Sequence, residues 1–108
     1  MQIAISSRGA EVSDALDAAT RAKIGRLDRY DDGDGQATVH FAEEKNPRIA
    51  DKSICEVTLE ARGHQVQGKV TATDRFAALD LVVDKLEHQL ARLKSRADDK
   101  STHGRDPG

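Results

Sequence analysis

The clearest change of period among the apolar residues of this chain falls at Thr73-Asp74. From Ala37 to Ala72 they recur mostly at every second position; from Phe76 to Leu93 they recur every third or fourth. A period of two belongs to strands with one buried face, and a period near 3.6 to a helix with one buried stripe. The chain must therefore lay a long helix on a half-buried sheet. Ala37, Val39 and Phe41 alternate with Thr38 and His40. Cys55, Val57, Leu59 and Ala61 alternate with Glu56, Thr58, Glu60 and Arg62, and Val66, Gly68, Val70 and Ala72 with Gln65, Gln67, Lys69 and Thr71. Gly63-His64 between the last two runs predicts a hairpin. Glu43 to Lys52, with Asn46-Pro47, reads as a loop.

The N-terminal part supplies one more strand and one more helix. Ile3 and Ile5 place a short strand over residues 2–6. Ser13 predicts a helix start, because its hydroxyl can accept a bond from an orphan amide. Asp14 and Asp17 suit the positive end of the helix dipole. Leu16, Ala19, Ile24 and Leu27 give the apolar face through about residue 28, and Asp31-Asp32-Gly33-Asp34-Gly35 reads as a turn. The order is β-α-β-β-β-α, an α+β fold. Two helices pack on one face of a four-stranded mixed sheet and leave the other face wet. The first helix is a crossover, so strands one and two are expected to be parallel neighbours with a right-handed connection.

The chain has 108 residues, which is one domain. No tryptophan is present, so the core must come from Val, Ile, Leu and Ala. The folded domain is expected over residues 1–96. Residues 97–108 are polar, contain Gly104, Pro107 and Gly108, and read as a disordered tail or the start of a linker. A net charge of −2 gives no global support for nucleic-acid binding, which must rest on charge placement. A single cysteine, Cys55, makes no internal disulfide and fits a reducing compartment. No apolar run is long enough for a membrane span and no signal-peptide pattern opens the chain, which gives a cytoplasmic expectation.

The last helix carries two stripes. Phe76, Leu79, Val83, Leu86, Leu90 and Leu93 form the core stripe. Lys85, Gln89, Arg92 and Arg96 recur at the same spacing on another face, with no acidic member. In an acidic chain, such a one-sign stripe suggests a polyanion-binding surface. Two helices side by side are expected to bring Lys23 and Arg26 near it. Asp80 and Asp84 are assigned to surface or capping roles.

Other chemistry fares worse. Aligning Gly35 with the glycine of a calcium loop puts Tyr30 at the first ligand position and Phe41 at the last, and neither ligates as required. His40, His64, His88 and His103 have no metal-like spacing with one another or with Cys55. No metal and no cofactor is expected. Cys55 has the parity of inward strand residues and reads as a buried, inert thiol.

The order of these segments resembles the ribosome hibernation-promoting factor family, also called protein Y or sigma-54 modulation proteins. The resemblance spans residues 1–96. It is carried by Met1-Gln2-Ile3-Ala4-Ile5, by Glu11-Val12-Ser13-Asp14-Ala15-Leu16, and by Ala22-Lys23-Ile24 with Leu27-Asp28-Arg29-Tyr30. It is strongest in Asp74-x-Phe76-Ala77-Ala78-Leu79-Asp80, Asp84-Lys85-Leu86, Gln89-Leu90 and Lys94.

The resemblance implies a non-enzymatic translation inhibitor. Such proteins dock on the small ribosomal subunit at the decoding region, occlude messenger RNA and A- and P-site transfer RNA, and silence idle ribosomes in stress or stationary phase. Long members add a C-terminal domain that pairs ribosomes, and pairing is expected only with such a domain. Lys23, Arg26, Lys85, Gln89, Arg92, Lys94 and Arg96 are the expected contacts to ribosomal RNA; the cations gain affinity by displacing condensed counterions. RNA read by backbone shape and 2′-hydroxyls needs no exposed aromatics. Arg62, Lys69 and Arg75 are weaker candidates. The loop after Tyr30 departs from a phosphate-binding pattern through Asp31, Asp32 and Asp34, as does the tail through Asp98 and Asp99.

Two competing readings differ in class. One is a protein-interaction or dimerisation module using the polar sheet face. The other is a small hydrolase or nuclease with His40 or His64 as general base beside Glu43, Glu56 or Glu60, which would need a sheltered cleft.

Overall fold

A computed structural model of the chain describes residues 1–9, 11–30, 35–50, 52–61 and 63–103; the side chains of 61 and 94–103 lie outside the description. The elements are β1 (Gln2–Ser7), α1 (Asp14–Gly25) with a 3-10 turn Arg26–Tyr30, β2 (Gln36–Glu43), β3 (Ser53–Ala61), β4 (His64–Ala72) and α2 (Arg75–His103). The sheet order is β1-β2-β3-β4. β1 and β2 are parallel, and the other two pairings are antiparallel. This is the expected α+β architecture, with the hairpin turning at Gly63, whose φ of 77° favours glycine.

Local chemistry fixes where the helices begin. The amide of Leu16 donates to the Ser13 hydroxyl at 3.1 Å. The amide of Ala77 donates to Asp74 Oδ1 at 2.8 Å. Each side chain satisfies a donor that a helix start leaves unpaired. In the β2–β3 loop the Arg48 amide donates to Asn46 Oδ1 at 3.0 Å, an Asx turn.

The core lies between the helices and one sheet face. Val39, Phe41, Cys55, Val57 and Leu59 are buried beneath Leu16, Ile24, Leu79, Val82 and Leu86. Thr20 is buried among them, and its hydroxyl is satisfied by donating to the Leu16 carbonyl at 2.7 Å. Gly68 lets α2 approach β4 closely: a Cβ there would stand 3.1 Å from Val82 Cγ2 and 3.5 Å from Leu86 Cδ2. At each outer strand a helix side chain donates to a strand carbonyl. Arg21 Nη1 reaches Ile3 O of β1 at 3.4 Å, and Gln89 Nε2 reaches Gln67 O of β4 at 3.0 Å.

Two expectations need correction. Phe76 was placed in the core stripe, but it is 45% exposed. The buried stripe consists of Ala78, Leu79, Val82, Val83, Leu86 and Leu90. At 100° per residue, Phe76 sits roughly 80° from its centre. The helix also runs beyond residue 96 to His103. Residues 97–103 contain no glycine or proline, so nothing stops propagation before Gly104. The rest of the expected tail, residues 104–108, lies outside the described residues, as does most of the acidic turn, residues 31–34.

Cys55 has no exposed surface, and burial pushes its thiol pKa up from 9.0 to about 12. When the chain unfolds, that thiol regains its ordinary acidity. The stability tied to the neutral thiol is therefore whole below about pH 9 and is lost as pH rises from there toward 12. Denaturant melts across alkaline pH are expected to show a shallower decline for Cys55→Ala than for the parent. An identical decline in both would remove the thiol as a contributor.

Candidate nucleic-acid interface

α2 lies over β3 and β4, so its long sides face different neighbours. On one side α1 packs against it. Lys23 pairs there with Asp80, and Arg29 with Glu87. Asp80 and Glu87 recur with helical spacing on the flank toward α1. Lys85 lies about 140° around the helix from Asp80, on the flank above the free edge of β4. α1 thus meets the acidic flank of α2, and the expectation that Lys23 and Arg26 sit near the basic stripe is corrected. Asp80, assigned to a surface or capping role, is at the surface and pairs there with Lys23 of α1.

The basic flank has a different character. Lys85 and Arg92 are exposed and make no ion pair with any described residue. Gln89, one turn from each, is half-buried and tied to β4 through Gln67 O. Between α2 and the start of β4 lies a cleft lined by His64, Gln65, Val66, Gln89, Arg92 and Leu93. Lys94 and Arg96 continue α2, with side chains outside the described residues. Arg26 closes α1 as its C-cap and is exposed, with no ion pair to a described residue.

The two sets of cations differ electrostatically. Lys23 and Arg29 have their charge matched by a carboxylate in direct contact. Lys85 and Arg92 keep theirs available, and within a Debye length of about 10 Å such charges act together on a polyanion. The pattern was legible in part, since the stripe of Lys85, Gln89 and Arg92 is a spacing. The counter-pattern of Asp80 and Glu87 was equally present in the sequence and marks the flank that Lys23 and Arg29 neutralise. Nothing in the sequence pattern places His64 and Gln65 near Arg92, because only the packing of α2 back over β4 brings them together.

The weaker cations differ from one another. Arg75 Nε bonds Glu43 Oε1 at 3.0 Å, its Nη1 bonds the Glu11 carbonyl at 3.0 Å, and its guanidinium lies 5.9 Å from the Phe41 ring centroid. It clamps the start of α2 to the β2 end and the segment before α1. Lys69 lies opposite Glu56 on the open sheet face, where cross-strand pairing of charges is favourable. Arg62 lies outside the described residues.

The open face also bears on the hydrolase reading. Ser6, His40, Glu56 and Lys69 stand in one row across the four strands, and Ser6 Oγ is 2.8 Å from His40 Nδ1. Glu43 is held by Arg75 and accepts from Ser53 Oγ at 3.3 Å. The cleft beside His64 is formed with Gln65, Gln89 and Arg92, and Glu43, Glu56 and Glu60 are not among its walls. Among the described residues, no three His, Cys, Asp or Glu side chains are grouped to hold a metal ion. No helix among them is long and apolar enough to cross a membrane.

Comparison with known proteins agrees with this architecture. The family model described as sigma 54 modulation protein / S30EA ribosomal protein matches residues 3–98. The ribosome hibernation promoting factor of Azotobacter vinelandii is 35% identical over 96 residues, 89% of this chain and 85% of that protein. The ribosome hibernation promotion factor of Lactococcus lactis subsp. cremoris is 31% identical over 100 residues, 89% of this chain but 51% of that longer protein. Among solved structures, the N-terminal domain of Thermus thermophilus protein Y superposes with a TM-score of 0.74 at 33% identity, covering 86% of this chain and 99% of that one.

Proposed function

The chain belongs to the sigma 54 modulation protein / S30EA ribosomal protein family, and from that membership we propose that it is a ribosome hibernation factor acting on the small ribosomal subunit. It docks at the decoding region, overlaps the space of messenger RNA and A- and P-site transfer RNA, and keeps idle ribosomes silent under stress or in stationary phase. The mechanism is occlusion, with no bond made or broken. The protein works in the cytoplasm of a bacterium, and residues 1–96 are the ribosome-binding unit.

One observation carries the reading of the contact surface. Lys85 and Arg92 stand exposed on one flank of a rigid helix, without a carboxylate partner among the described residues, in a chain whose net charge is −2. Cations left unmatched in this way are suited to ribosomal RNA phosphates, and Arg92 can grip phosphate in a bidentate way. Gln89 lies between them, and Arg26, Lys94 and Arg96 are further contacts in this reading. Lys23 contributes as well, by exchanging Asp80 for phosphate or by holding α1 in place.

Co-sedimentation with purified vacant small subunits across a salt series tests this. Saturable binding is expected, with log affinity falling linearly against log salt, and competition by transfer RNA or messenger RNA. Absence of binding at low salt would overturn the assignment.

A further inference from the structure

The cleft between α2 and the start of β4 is an open groove of about 210 Å³. It suits one planar ring, whereas a double helix offers nothing of that size to insert. Contact with an RNA backbone alone requires no such concavity.

The walls match one ligand chemistry. Val66 is buried and Leu93 half-buried, which gives an apolar floor. Gln89 is oriented by its bond to Gln67 O, and its Oε1 has no partner among the described residues. Gln65 is exposed at the opposite wall. Two primary amides supply donors and acceptors together, as the edge of a nucleobase requires. His64 and Arg92 provide two planar groups at the rim. Unstacked RNA bases are bound in this way, stacked on aromatic rings or guanidinium planes and hydrogen-bonded along their edges.

We propose that this cleft takes one unstacked base of a single-stranded RNA segment, with Arg92 at the rim and Lys85 along the adjoining phosphates. The proposal rests on the reading of this flank as an RNA surface. It adds that the RNA at this point is single-stranded and that a base, not only the backbone, enters the protein.

The test uses the full chain with a fluorescent single-stranded oligoadenylate, a duplex of equal length and a glutamate-rich peptide. Binding is followed by anisotropy and by backbone amide NMR shifts. The single strand is expected to bind more tightly than the duplex and to shift amides at 64–66 and 89–93. His64→Ala/Gln65→Ala, both exposed positions, is expected to weaken single-strand binding about tenfold while leaving duplex binding and the thermal melt unchanged.

Single-strand binding no stronger than duplex binding, or unchanged in the double variant, overturns the proposal. So does equal displacement by the acidic peptide, which reduces the cleft to an unspecific anion site. Co-sedimentation with vacant small subunits separates the two readings. Subunit binding that persists without any single-strand preference sinks the base-binding cleft alone. Single-strand preference without subunit binding sinks the hibernation reading alone.

Discussion

Reversal of Lys85 and Arg92 together to glutamate is expected to abolish co-sedimentation with small subunits at physiological salt. Two favourable phosphate contacts become two repulsive ones on the same flank. Any residual binding at low salt should show a salt slope reduced by roughly one for each cation removed. Neither residue has an ion-pair partner among the described residues and both are exposed, so stability should stay within about half a kcal/mol of the parent. Lys23→Glu makes the informative contrast. Its charge is matched by Asp80, so reversal sets two carboxylates against each other between α1 and α2, and part of its effect should appear as lost stability. Unchanged subunit affinity in the Lys85/Arg92 double variant would remove this flank from the interface.

Leu86→Ala is expected to cost about 2–5 kcal/mol of stability. The side chain has no exposed surface and packs over Gly68, whose hydrogen leaves no atoms to collapse into the space. Truncation removes the buried methyl groups and leaves a cavity between α2 and β4. Against a total of about 5–15 kcal/mol for a domain of this kind, that is a large share. Urea melts at fixed pH measure it through a lower midpoint at unchanged slope. A loss below half a kcal/mol would mean that the inward face of α2 has been misidentified, and Lys85 beside it with it.

The sheet and its register were legible because period two leaves little freedom. Once Val57 and Leu59 face inward, a one-residue slip against β4 would bury Gln65 and Gln67. The parallel pairing of β1 with β2 followed from the crossover through α1. The lateral arrangement of the helices was harder. α1 connects β1 to β2, whereas α2 follows β4, so α2 turns one flank to α1 and the other to the free edge. Which residues occupy each flank depends on the rotation of α2 about its own axis. The stripe of cations drew attention, while Asp80 and Glu87, which decide the matter by pairing with Lys23 and Arg29, looked like ordinary surface carboxylates. Phe76 misled for a related reason: a large apolar residue at nearly the right spacing reads as core, although it sits roughly 80° from the centre of the buried stripe. The cleft could not be read from sequence, because His64 and Arg92 are distant in the chain and share a cleft only through the way α2 packs back over β4.

The hydrogen bonds of Arg21 to Ile3 O and of Gln89 to Gln67 O bear on how the protein avoids adding to copies of itself. An open four-stranded sheet has two outer strands, and each offers a ladder onto which another copy could add. Here each ladder is missing a rung, taken by the helix that lies nearest: α1 at β1 and α2 at β4. The residues that do this are polar and long, so the blockade adds no greasy surface of its own. Growth into fibres is thus discouraged at both margins by side chains already committed to the fold.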